Sequence, residues 1–165
     1  MLIVKNRQGL ILIELITVLV LIGLIGTFTA FFLYSGVEGY LSTKNRAKGA
    51  LNAQTALDRI SIELRDLDYF TSFTANSSLT FTNEVISGTR ARGLSYNSNA
   101  IWISIGSTPY KLLENVDSFI LSKTAQDLNN DGSDEVAFFE VGFRVSDINR
   151  DLKTRIFPRY MVKDK

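Results

Sequence analysis

The chain opens with a long apolar segment whose length suits a membrane. Residues 15–34 form twenty consecutive positions without a charged residue or a proline. A helix of that length spans a hydrocarbon core of about 30 Å. The segment is too long for a secretory signal, and Phe28 stands where a cleavage site would need a small residue. The pattern therefore predicts a retained membrane-spanning helix.

A second helical pattern follows the apolar segment. Apolar residues recur at alternating spacings of three and four, which predicts an amphipathic helix reaching about residue 70. The stripe consists of Ala50, Ala53, Leu57, Ile60, Leu64 and Leu67. We expect it to pack on a sheet, with Arg59 and Glu63 forming an ion pair one turn apart.

From about Thr71 the pattern changes to the alternation typical of strands. Apolar side chains alternate with polar ones in residues 78–86, 100–105 and 139–145, and residues 151–158 read as a last strand. The predicted inward residues are Leu79, Phe81, Val85, Ile101, Ile103, Ile105, Phe139, Val141, Phe143 and Val145. Turn residues separate the runs at 87–88, 97–99, 106–109 and 129–132. The predicted fold class is α+β, a long N-terminal helix packed on a C-terminal antiparallel β-sheet.

Composition removes several functional classes. The chain of 165 residues has no histidine and no cysteine, so the commonest general base, metal ligand and thiolate are missing. No nucleophile, metalloprotease or phosphate-loop motif is present, and we expect no enzyme activity and no cofactor. The net charge of +1 lacks the basic excess of a nucleic-acid-binding protein.

One carboxylate interrupts the apolar pattern near its start. Glu14 is the only charged residue between Arg7 and Glu38. An acidic residue near a helix N-terminus favours the helix dipole, and its side chain can reach the membrane interface. Deeper in the bilayer a carboxylate costs roughly 3 kcal/mol and needs a partner. That partner would come from another chain or from a newly made group.

The segment "KNRQG" followed by "LILIELITVLVLIGLIG" resembles the class III signal of type IV pilins and type II secretion pseudopilins. The resemblance implies cleavage between Gly9 and Leu10 by a prepilin peptidase, followed by N-methylation of Leu10. Glu14 then stands as the fifth residue beyond the cut. Leu10 and Ile11 depart from the phenylalanine and threonine common there, and the frequent mid-span proline is missing.

The resemblance also implies an organisation and a set of partners. Residues 1–9 would be the leader, 10–34 the transmembrane and assembly helix, 35–70 its amphipathic continuation and 71–165 the β domain. The α-amine created at Leu10 would pair with Glu14 of a neighbouring subunit. Two such charges about 4 Å apart gain roughly 4 kcal/mol at an effective dielectric near 20.

Later motifs resemble minor subunits called PilW-like and the related J-type pseudopilins. They are "ALDRISIELRD" at 56–66, "KLLENVDSFIL" at 111–121 and "RIFPRY" at 155–160. The implied partners are other minor pilins or pseudopilins, the major pilin and the prepilin peptidase. The implied location is the bacterial inner membrane, single-pass, with a cytoplasmic N-terminus and a periplasmic domain, or an extracellular filament or its tip.

Three functions remain open from the sequence, besides a DNA-uptake pilus component, which the near-neutral charge disfavours. The first is a minor pilin that joins or initiates a filament, and the second is a J-type pseudopilin of type II secretion. Both kinds of subunit are consistent with every residue named above, and the genes beside this one would distinguish the two functions. The third is a bitopic membrane sensor with a ligand-binding ectodomain, which would keep its full-length N-terminus.

A polar loop at 127–135 partly matches a calcium-binding pattern. Asp127, Asn129, Asp131 and Glu135 occupy positions 1, 3, 5 and 9, and Gly132 occupies position 6. Oxygen ligands on alternate residues can converge on one Ca²⁺. The bidentate glutamate expected at position 12 is replaced by Phe138, so a plain hairpin turn is the alternative.

Overall fold

A computed structural model describes residues 7–83 and 90–163, and within them the chain has an α+β layout. One long helix, α1, runs Arg7–Arg65 and packs on antiparallel sheets, which confirms the predicted fold class. The eight strands of these ranges are β1 Leu67–Thr74, β2 Ser78–Asn83, β3 Arg90–Asn97, β4 Ala100–Ile105, β5 Thr108–Leu113, β6 Val116–Gln126, β7 Glu135–Val145 and β8 Arg150–Ile156.

The strands form two sheets, whereas the sequence predicted one. The five-stranded sheet has the order β1-β2-β3-β4-β5, and the three-stranded sheet has the order β6-β7-β8. The break follows Asn115, whose positive φ of 59° redirects the chain between β5 and β6. Val116 N then donates to Asn99 O at 2.9 Å, outside either ladder. Alternation within strands does not encode which strands pair, so the sequence did not predict the division into two sheets.

Asn76 joins the two sheets. It occupies the turn between β1 and β2, and its backbone N donates to Leu121 O in β6 at 3.0 Å. The Leu121 amide in turn donates to Asn76 Oδ1 at 3.0 Å. The pair imitates one rung of a β-ladder and satisfies backbone groups that would otherwise be left unpaired between the sheets.

The core lies where the second part of α1 meets both sheets. The helix contributes Ala53, Ala56, Leu57, Ile60 and Leu64. From the strands, the predicted inward residues are buried except Ile105, which is half-buried, and Val85, which lies outside the described residues. The predicted stripe needs two corrections: Ala50 is exposed while Gly49 is buried, and Leu67 belongs to β1.

The helix ends about five residues earlier than predicted. Arg159 N donates to Arg65 O at 2.8 Å, which satisfies one of the orphan carbonyls at the helix end. The Arg159 guanidinium lies 3.3 Å from Asp66 Oδ1. Leu67 continues the spacing of the helical stripe, so its sequence position did not reveal the change to a strand.

Pro109 gives a further correction. The sequence predicted a turn over 106–109, but the turn contains Gly106, whose φ is +62°, and Pro109 already lies in β5. β5 is an edge of its sheet, where a proline without a backbone N–H is tolerated.

The chain divides into two compact units at Lys44 and Asn45. In the described residues the first unit is helical throughout. The second unit contains the remainder of α1 and both sheets, and therefore the whole hydrophobic core described above.

Candidate functional site

The first unit presents apolar surface on every side of its helix. The large apolar side chains from Leu12 to Leu41 are between 49 and 77% exposed. Among the described residues, α1 is the one helix long and apolar enough to cross a membrane by length and composition. Soluble proteins rarely leave an apolar surface of this extent uncovered, and such a surface is suited to contact with lipid or with other helices.

The threonine hydroxyls within this apolar segment are satisfied locally. The hydroxyls of Thr17, Thr27 and Thr29 each donate to the carbonyl four residues earlier at 2.8 Å. The exposed carboxylate of Glu14 makes neither a hydrogen bond nor an ion pair with any described residue. Glu14 is therefore the one charged group of residues 12–34, and it has no partner among the described residues.

The predicted processing site lies in the first turn of α1. Gly9 and Leu10 have helical backbone, and Glu14 follows Leu10 by four residues. At 1.5 Å per residue that spacing is about 6 Å along the axis. The first turn of a helix has backbone N–H groups without intrahelical partners, so opening it costs less than opening the interior.

The four predicted calcium ligands make hydrogen bonds within the turn between β6 and β7. Asp127 accepts hydrogen bonds from the amides of Asp131 and Gly132 at 3.2 and 3.0 Å. Glu135 is fully buried at the start of β7 and accepts from Leu128 N at 3.1 Å. Asn129 accepts from Asp131 N at 2.9 Å. Each carboxylate thus replaces a missing backbone acceptor in the loop.

The charge on Asp131 is stabilised within the same turn. Its carboxylate accepts from Ser133 N at 2.8 Å and from Asn129 Nδ2 at 3.1 Å, and Lys163 Nζ lies 3.7 Å away. The Ser133 hydrogen bond is the main cause that lowers the pKa of Asp131. The part of the chain that the structure describes has no group of three or more acidic residues arranged to hold a metal ion. Calcium binding stays a prediction that the loop geometry does not support.

The sequence reasoning missed a buried polar cluster between the second part of α1 and the five-stranded sheet. Glu63 is only 5% exposed and pairs with Arg59 at 2.6 Å, as the spacing predicted. It also accepts from Asn83 Nδ2 at 3.0 Å and lies 3.5 Å from Arg92 Nε. Asn83 and Arg92 come from β2 and β3, so no local pattern linked them to the helix. The cluster anchors α1 on the sheet and has no evident chemistry of its own.

Comparisons with family models, with curated proteins and with solved structures give no significant match. The functional argument consequently depends on the residues at the start of α1. They comprise a glycine–leucine junction, a carboxylate without a partner and an apolar surface that the chain itself leaves uncovered. This arrangement suits assembly with other helices and offers no catalytic constellation in the described residues.

Proposed function

We propose that the chain is a minor subunit of a type IV pilus-like filament, produced as a precursor and cleaved between Gly9 and Leu10. The observation that carries the proposal is the unpartnered carboxylate of Glu14 in an exposed apolar helix, four residues after Leu10. A membrane anchor alone requires the apolar residues and has no use for a carboxylate at this spacing. The resemblance of residues 5–26 to a class III signal explains all of these features together.

Cleavage would give Glu14 the partner it lacks. Hydrolysis of the Gly9–Leu10 bond leaves a cationic α-amine at Leu10, and N-methylation keeps that nitrogen basic. In a bundle of parallel helices offset along their axes, this amine reaches Glu14 of the adjacent subunit. At about 4 Å the pair gains roughly 4 kcal/mol for an effective dielectric near 20, which offsets burial of the carboxylate. The same pair fixes the axial register of the helices.

The proposed setting is the bacterial inner membrane before assembly. The short N-terminal segment would remain cytoplasmic, residues 15–34 would span the bilayer, and the second unit would be periplasmic. On assembly the exposed apolar surface would exchange lipid for the helices of the major pilin and other minor subunits. The two sheets of the second unit would then provide selectivity for these neighbours.

The mass of the N-terminal peptide of protein purified from membranes tests this proposal. We expect a peptide that begins at methylated Leu10. A Gly9→Leu variant should remain uncut, whereas Gly23→Leu, a matched change farther along α1, should be processed normally. A wild-type chain that retains Met1 in cells with an active prepilin peptidase would instead favour the membrane sensor.

A further inference from the structure

The outer face of the five-stranded sheet is lined with hydroxyl groups. Two rows of cross-strand neighbours, opposite the buried side chains, run Ser72, Thr80, Gly93, Ser104, Pro109 and Thr74, Ser78, Ser95, Trp102, Lys111. We call the six residues Ser72, Thr74, Ser78, Thr80, Ser95 and Ser104 the hydroxyl face. They alternate along their strands with core residues such as Leu79 and Leu94. The hydroxyl face therefore points away from the core.

These hydroxyls are available to a ligand. Within the described residues, none of the six makes a hydrogen bond through its side chain. Each can donate one hydrogen bond and accept two. Gly93 places no side chain at the centre of the face, and a Cβ there would collide with Ser104 Oγ. The result is a surface with unused donors and acceptors on both sides of Gly93.

The face has almost no charge. Lys111 is the one charged residue in the two rows, and its amine lies 3.5 Å from Glu114 Oε2. The outer face of the three-stranded sheet differs, because Glu140 contacts Lys153 and Arg155 while Arg144 pairs with Asp151. A charged polymer would find its complement on the second face and not on the hydroxyl face.

Aromatic rings stand at two margins of the hydroxyl face. Trp102 lies in one of the two rows, with its indole N–H donating to Asn97 O at 3.4 Å and the Lys111 amine 5.5 Å from the ring centre. Tyr69 lies in β1 opposite Thr82 of β2 and is 48% exposed. Aromatic side chains combine an apolar face with a polar group, which suits a ligand that presents both C–H and O–H groups.

We propose that the hydroxyl face binds an uncharged polysaccharide. Such a polymer presents hydroxyls that both donate and accept, as the six side chains do, and C–H surfaces that pack on Trp102 and Tyr69. Such a polymer requires no opposite charge, and the hydroxyl face offers almost none. This inference does not depend on processing at Gly9 or on filament assembly. Polysaccharide binding can fail while processing and assembly hold, and they can fail while binding holds.

The tryptophan at position 102 provides a direct measurement, because it is the only one in the chain. The full chain is purified in a detergent without a sugar headgroup and titrated separately with maltohexaose, cellohexaose and chitohexaose to about 5 mM, where binding of millimolar affinity saturates. We expect a saturable change in indole emission with at least one of these neutral oligosaccharides. No change with any of the three, or a response to heparin oligosaccharides alone, would overturn the proposal.

Two variants test whether the hydroxyl face is the site. The double change Ser95→Ala with Ser104→Ala should weaken binding about tenfold, as expected for two hydrogen bonds lost at an exposed surface. Thr80→Glu, which places a charge within the first row, should abolish the emission change. The matched control is Thr124→Glu, at an exposed position in β6 of the other sheet. This variant should bind like wild type. Equal affinity in all variants would place binding elsewhere and refute the assignment.

Discussion

The two parts of α1 form the same secondary structure and leave their apolar side chains in opposite surroundings. In residues 12–44 every described side chain is exposed, although most of them are apolar. In residues 45–65 apolar side chains at helical spacing form a buried face, although Leu51 and Ile62 stay exposed. Helical geometry is common to both, so the difference comes from the periodicity of the sequence. A stripe is buried by the chain's own sheets, whereas an unbroken apolar surface must be covered from outside.

Truncating one isoleucine in each part of α1 gives the sharpest test of this difference. Ile60 is 1% exposed, and Ile60→Ala should reduce the free energy of unfolding by about 2–5 kcal/mol through lost burial and a cavity. Ile22 is 60% exposed, and Ile22→Ala should leave unfolding of the second unit unchanged. Denaturant unfolding of the full chain in detergent, followed by the Trp102 emission, measures both variants. Equal destabilisation by the two changes would contradict the comparison.

Two carboxylates in the same apolar-rich part of α1 provide the next comparison. Glu14→Val should leave cleavage after Gly9 intact and lower incorporation into filaments about tenfold or more, because the Leu10 amine loses its partner. Glu38→Val removes the next acidic residue along the helix and should have little effect on incorporation. Immunoblots of sheared filaments and of membranes separate incorporation from processing.

The outcome of the Glu14 experiment depends on the state of the N-terminus. The variant must first be shown to begin at Leu10, since an uncut precursor would also fail to assemble. A cleaved Glu14→Val protein that assembles like wild type would refute the electrostatic role. Failure of Glu38→Val to the same degree would point instead to a general requirement for charge along the helix.

A smaller difference is expected between two helical glycines. A Cβ at Gly49 would lie 3.1 Å from Asp147 Cβ, whereas a Cβ at Gly39 meets no atom within 4 Å. Gly39→Ala should therefore stabilise its helical turn by roughly 0.5–1 kcal/mol. At Gly49 the close contact should offset that gain. Amide hydrogen exchange around each position measures the local free energy of opening, and equal protection gains would show that Asp147 moves freely.

The sequence anticipated features that depend on periodicity along a single element. The buried face of α1, the inward residues of β7 and the pairing of Arg59 with Glu63 all follow from spacings of two, three or four. The unpartnered carboxylate at Glu14 was also visible, because one charge in an apolar run needs no three-dimensional information. These features include most of the proposed assembly site.

Features that depend on strand pairing were not predictable. The alternation of Ser95 with Leu94 marked an outward position, but only the pairing of β1 with β2, β2 with β3 and β3 with β4 gathers six such hydroxyls into one face. Burial of Glu63 among Asn83 and Arg92 likewise required the register of distant strands. The loop hydrogen bonds needed the three-dimensional structure for the same reason. The spacing at 127–135 suggested metal ligands, but it did not show that Asp127 accepts from the amides of Asp131 and Gly132.

The smallest expected effect is a dependence of the melting temperature of the second unit on acidic pH. The hydrogen bond from Lys153 is the main cause that lowers the pKa of Glu140 below its ordinary 4.5, and Arg155 acts in the same direction. A carboxyl group with a lowered pKa in the folded state stabilises the fold above its unfolded pKa and loses that contribution as the pH falls. The melting temperature should therefore be flat near neutral pH and decline below about pH 4.5.

A Glu140→Gln variant isolates this contribution. It should melt slightly below wild type at neutral pH and approach wild type in acid, where Glu140 is protonated in both states. The difference should be small because the pair partners Lys153 and Arg155 are exposed to solvent. Glu38→Gln, in the first part of α1 where Glu38 has no ion pair with a described residue, is the matched control. A constant gap between Glu140→Gln and wild type at every pH would show that packing, and not charge, links β7 to β8 at this position.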